Sequence, residues 1–186
     1  MKEDMKTYCF AIDETISAVD IKNLRKKLSV TQAEFARIVN VSVKTVERWE
    51  SGNKPVTGPI TTLCKMLSEY PQFVEKIKIP PKEYPLRLKY MNNNELCTII
   101  DVHERKRLIK VYNYANNIIN KAFGAEEHPS YEQYEEFIES RCFPRERDKM
   151  KLILEDLELP FYDPLLIIEK THGKMAEDNF RIEIER

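Results

Sequence analysis

Residues 31–52 read TQAEFARIVNVSVKTVERWESG, and the punctuation of this stretch decides how the first part of the chain folds. Thr31 followed three residues later by Glu34 is a capping box, in which each side chain satisfies a backbone N–H that a helix start leaves unpaired. A helix therefore opens at Thr31, with Phe35, Ala36 and Val39 on its inner side. Asn40-Val41 makes a short turn, and Ser42 caps a second helix running from Val43 to Glu50. Gly52 suits a left-handed position that ends it. Two short helices joined by so tight a turn cross steeply, and the small side chain of Ala36 lets them approach. Val46 and Trp49, three apart, face the core. Val43, Lys44, Glu47 and Arg48 are left outward, on a helix face able to reach base edges in a duplex major groove about 12 Å wide.

Upstream, Asp20 is placed to cap a helix whose apolar positions are Ile21, Leu24 and Leu28. Downstream, KIKIPPKEYP holds Pro80, Pro81 and Pro85, which remove backbone donors and end the helical part. Beyond it the period changes to short strand-like runs at Leu86 to Met91, Leu96 to Val102 and Leu108 to Tyr112, read as an antiparallel meander. Ser130 with Gln133 starts a helix through Tyr134, Phe137 and Ile138. A second opens at Pro144 and turns Met150, Ile153, Leu154 and Leu157 inward, and a third follows Asp163-Pro164 with Leu166, Ile167 and Ile168. Phe180 to Glu185 alternates as an edge strand would. The fold class expected is α+β: an N-terminal arm over 1–19, an all-α DNA-binding domain over 20–79, and a small α+β domain over 80–186, with a meander and about three helices, for dimerisation or partner binding.

Net charge is −1, but its distribution matters more. Residues 20–79 hold eleven Lys and Arg against six Asp and Glu, whereas residues 80–186 hold seventeen against twenty-one. The positive segment is the one carrying the outward row, as contact with a phosphate backbone requires. No window approaches the roughly 18 apolar residues of a membrane span, and no secretory leader is visible, so the expected compartment is the cytoplasm, with no membrane partner. Cys9, Cys64, Cys97 and Cys142 are too far apart for a zinc site and are read as buried thiols. His103, His128 and His172 are isolated. No metal, cofactor or catalytic residue is assigned, and the chain is not read as an enzyme. The cluster Arg141, Arg145, Arg147, Lys149 and Lys151 is interleaved with acids and reads as a salt-bridged surface.

Thr31-Gln32, Ala36, Val41-Ser42, Val46 and Trp49-Glu50-Ser51-Gly52 together resemble the XRE family of phage-repressor-like helix-turn-helix regulators. With Gly58-Pro59 following, the stretch looks most like antitoxin regulators of the MqsA and HigA type, although the 19 leading residues cannot supply the zinc domain that precedes the DNA module in MqsA-type proteins. That resemblance implies base contacts from Val43, Lys44, Glu47 and Arg48. It implies phosphate contacts from Thr31, Gln32, Ser42, Thr45, Ser51 and Lys54. It further implies an autoregulating repressor, a homodimer on an inverted-repeat operator of double-stranded DNA, and a cognate toxin as partner. The alternative is a C-terminal domain that senses a ligand or docks a kinase or toxin, with DNA binding used only for autoregulation. Residues 140–182 are similar, more faintly, to the N-terminal subdomain of HipA-like kinases, through Arg141, Pro144, Arg147, Gly173, Asp178 and Phe180. The phosphate loop and catalytic loops of a kinase are missing, so the similarity points to a docking module.

Overall fold

A computed structural model describes residues 10–186 and divides the chain into two compact units, which meet in sequence between Ile79 and Pro80. Residues 1–9, half of the expected N-terminal arm and Cys9 with them, lie outside the described residues.

In the first unit β1 (Thr15–Ile16) is followed by α1 (Ala18–Lys27), α2 (Gln32–Ile38) and α3 (Val43–Ser51). Then come β2 (Val56–Thr57), which pairs antiparallel with β1, α4 (Pro59–Glu69) and α5 (Gln72–Ile77). Ile21, Phe35, Ala36, Val46, Cys64 and Val74, drawn from five helices, are buried in one core. The first helix starts earlier than Asp20 predicted. Ser17 is its cap, accepting from the Asp20 N–H at 3.1 Å and donating to the Asp20 carboxylate at 2.6 Å. Asp20 serves instead in the first turn, where a negative charge meets the positive end of the helix. Gly52 also departs from expectation. Its backbone is extended, at φ −77°, and glycine is required for a different reason: a Cβ there would stand 2.8 Å from the carbonyl oxygen of Arg48. The left-handed glycine is Gly58, at φ 96°, just before Pro59 opens α4.

The second unit is built on a four-stranded antiparallel sheet of β3 (Leu86–Asn92), β4 (Glu95–His103), β5 (Leu108–Asn113) and β6 (Phe180–Glu185), in the order β5-β4-β3-β6. The meander is thus extended by the C-terminal strand, which sits at an edge beside β3. Helices α6 (Tyr131–Ser140), α7 (Met150–Asp156) and α8 (Pro164–Thr171) complete it. Leu88, Tyr90, Ile100, Val102 and Ile182 from the sheet meet Tyr134, Phe137 and Ile138 of α6 and Ile167 and Ile168 of α8. Arg87 and Asp101 are opposite one another across β3 and β4 and form a buried two-pronged ion pair, at 2.6 and 2.8 Å. Arg87 also donates to the Pro80 carbonyl and Asp101 accepts from the Glu83 N–H, so the pair is fully partnered by the segment that leads into the sheet.

The helix expected to open at Pro144 begins instead at Met150. Two turns intervene, closed by Arg147 N–H to the Pro144 carbonyl at 3.1 Å and Met150 N–H to the Arg147 carbonyl at 3.2 Å. Lys149, at φ 62°, is left-handed and interrupts any helix running through it. Met150, Ile153, Leu154 and Leu157 are half-buried rather than in the core. Arg141 is buried and brings four of the positions noted above together, bonding to the carbonyls of Gly173 and Phe180 and to the Asp178 carboxylate at 2.6 Å.

Candidate nucleic-acid interface

The turn between α2 and α3 is fixed by backbone bonds. The Val41 N–H reaches the Ala36 carbonyl at 2.9 Å and the Asn40 N–H reaches Arg37 at 3.2 Å, the paired closure that ends a helix around a left-handed residue. Asn40 occupies that position at φ 54°, which asparagine tolerates better than most side chains. Ser42 follows in extended backbone and accepts from the Thr45 N–H at 3.2 Å, starting α3 one residue later.

On α3 the side chains divide as a helical period demands. Val46 is fully buried and Trp49 packs half-buried against the core. Val43, Lys44, Glu47 and Arg48 are all exposed, on the opposite face. Lys44, Glu47 and Arg48 make no ion pair among the described residues, so their charges are directed at solvent.

A polar network holds this helix from behind. Arg25 on α1 donates from Nε to Oε1 of Glu50 at 2.6 Å and from Nη2 to Oε2 at 2.9 Å, and its remaining nitrogen reaches the Val30 carbonyl. Gln32, the first residue of α2, donates its side-chain amide to the same Glu50 carboxylate at 2.9 Å. Three helices are thereby joined at one nearly buried carboxylate. The guanidinium of Arg25, and then the Gln32 amide, hold Glu50 below the ordinary carboxylate range against the cost of burial. Glu50 stands in the Trp49–Gly52 signature, but no feature of the sequence pointed to its pairing with Arg25, since the two are 25 positions apart and each reads locally as a solvated charge.

Thr31, Ser42, Ser51 and Lys54 are exposed, while Gln32 and Thr45 are half-buried. Several of these side chains already have structural work. The Thr31 hydroxyl bonds the Glu34 carboxylate within a complete capping box, and Ser42 and Thr45 share a bond at 2.8 Å. Ser51 donates to the Glu47 carbonyl at 2.7 Å, and Gln32 has its amide committed to Glu50. Lys54 has no ion-pair partner among the described residues.

Residues 21–66 match the family described as Helix-turn-helix. The chain is 31% identical over 62 residues to Antitoxin HigA-2 of Vibrio cholerae, covering 33% of this chain and 60% of that protein. It is 39% identical over 74 residues to Antitoxin PezA of Streptococcus pneumoniae, covering 38% of this chain and 47% of that protein. To Antitoxin MqsA of Escherichia coli it is 32% identical over 65 residues, covering 35% and 50%. The matches thus span about half the length of those relatives, and they do not show the likeness of the second unit to HipA-like kinases. No helix among the described residues is long and apolar enough to cross a membrane. With its two capped helices, its fixed turn and its outward row on α3, the segment of residues 21–66 is a helix-turn-helix domain of the XRE type.

Proposed function

We propose that the chain is a sequence-specific DNA-binding regulator that represses its own synthesis and serves as the antitoxin of a toxin-antitoxin pair. The observation that carries this reading is the unpaired row on α3. Lys44 and Arg48 stand exposed on a helix whose opposite face is locked into the core, in a unit with an excess of positive charge. Seated in a major groove, α3 places Arg48 to donate two bonds to a guanine edge and Val43 to touch a thymine methyl, with Lys44 and Glu47 beside them. Thr31, Gln32, Ser42, Thr45, Ser51 and Lys54 supply phosphate contacts, for which the exposed amides at the start of α2 add donors. Hydroxyls already engaged as helix caps keep a lone pair or proton for such contacts. The similarity to proteins named antitoxins supports a toxin as partner of the whole chain.

A single module of this size covers little DNA, so the reading includes a homodimer on an inverted repeat. Met66 on α4, Tyr70 just after it, and Phe73 and Ile77 on α5 leave large apolar side chains exposed, as a self-association face does. The second unit, residues 80–186, is assigned to dimerisation or toxin docking.

The decisive experiment is a mobility-shift titration on DNA taken from upstream of the chain's own coding sequence. Arg48→Ala is expected to weaken specific binding by roughly 1 to 3 kcal/mol without changing thermal stability. Unaltered affinity would remove α3 from the interface. Sedimentation of the protein-DNA complex is expected to show two chains per operator.

A further inference from the structure

One cleft in the second unit is unlike the rest of its surface. It is open, has a volume of about 490 Å³, and lies between α6, the start of α8 and the turn after β4. Glu104, Glu132, Glu135, Glu136, Glu139 and Asp163 line it, against the single lining cation Arg145. Part of this charge is neutralised locally. Arg107 bonds Glu132 and Glu135 at 3.0 to 3.1 Å, and Arg145 approaches Glu139 at 3.4 Å. Glu104 and Glu136, both exposed, have no ion-pair partner among the described residues.

A second, independent feature marks the same place. Tyr134 lines the cleft, is 3% exposed, and its hydroxyl is buried with no hydrogen-bond partner. Burying a hydroxyl without a partner costs free energy, so such a group is rare unless something arrives to meet it. Burial raises the proton affinity of this phenol, and the charges of Glu104, Glu135 and Asp163, together with Tyr131, act in the same direction.

We infer, on the partner-docking part of the function proposed above, that this cleft receives an arginine side chain from a basic segment of a partner polypeptide. The chemistry selects that occupant. No three of the described acidic, His or Cys side chains gather as a metal ion requires, whereas a guanidinium spreads five donors over a plane and satisfies separated carboxylates and a phenol oxygen at once. An open cleft does not enclose a small free cation, but it admits a side chain held by its own backbone outside.

Titration calorimetry of the full chain with a short capped peptide containing two arginines tests this. Binding that weakens with added salt is expected. Tyr134→Phe is expected to lower the affinity about tenfold, and Glu104→Gln with Glu136→Gln at least as much. Both variants should keep the native circular dichroism. If the peptide does not bind, or binds equally to all three proteins, the assignment is wrong. If arginine amide alone binds as tightly as the peptide, the source is a small molecule, and if calcium displaces the peptide at equal concentration the cleft is a cation site; either result overturns a polypeptide partner. Operator binding by the same variants separates the two ideas, because it is expected to be unchanged whatever the peptide does.

Discussion

Glu50 shows how a single side chain can set a recognition surface without touching what is recognised. Its carboxylate takes two bonds from Arg25 and one from Gln32, and so fixes α3 against α1 and α2. Removing it by Glu50→Ala leaves a guanidinium with no counter-charge, at a cost of about 3 kcal/mol, readable in urea denaturation. The same pairing makes stability depend on pH. Because the folded carboxyl titrates below its unfolded value of about 4.3, its contribution is complete above that value and disappears as the pH falls through the lower, folded one. Denaturation midpoints should therefore drop between about pH 5 and pH 3, and Glu50→Gln should flatten that slope. Gly52 makes a different kind of demand. Its φ is ordinary, so the obstacle to Gly52→Ala is the Arg48 carbonyl oxygen, a backbone atom that no rotamer change moves aside. That substitution should cost about 1 to 3 kcal/mol, a melting shift of several degrees in calorimetry. Neither role was legible beforehand. Glu50 finds its partner far along the chain, and a glycine after a helix looks the same whether it is needed for its torsion or for its missing Cβ.

Elements whose ends are settled by neighbours three residues away were readable. Thr31 with Glu34 and Ser130 with Gln133 form the two capping boxes that their spacing announced, and Asp163 caps α8. Thr31→Ala should accordingly destabilise the first unit by about 1 kcal/mol, measurable by thermal denaturation. The outward face of α3 was readable as well, since Ser42 fixes its start and Val46 and Trp49 fix its phase. What failed was decided elsewhere. Pro144 has every local qualification to open a helix, but the turn residues Arg145 to Lys149 follow it and Lys149 adopts a left-handed backbone. Lys149→Gly should relieve that torsion and stabilise the second unit by up to about 1 kcal/mol. The pairing of Thr15–Ile16 with Val56–Thr57 leaves no mark in the sequence because two residues carry no period, and only α1 to α3 folding between them brings the strands together.

For the whole molecule, the three prolines after Ile79 fall where the chain divides into two compact units, each with a hydrophobic core of its own. A fragment starting at Pro80 is therefore expected to unfold cooperatively by itself, which heat-capacity scanning will show. The charge asymmetry was plain in the sequence, but the acidic cleft was not, since its carboxylates come from three segments that only the fold gathers. The outermost strand has a last consequence. Along β6, Arg181, Glu183 and Glu185 alternate with Ile182 and Ile184, and Glu185 is tied to Lys89 on the neighbouring strand. Another chain seeking to lengthen the sheet at this rim would have to dehydrate those ions before gaining any backbone bond. The rim is thus guarded against fibril-like stacking, and the protein is free to assemble through other surfaces at high concentration.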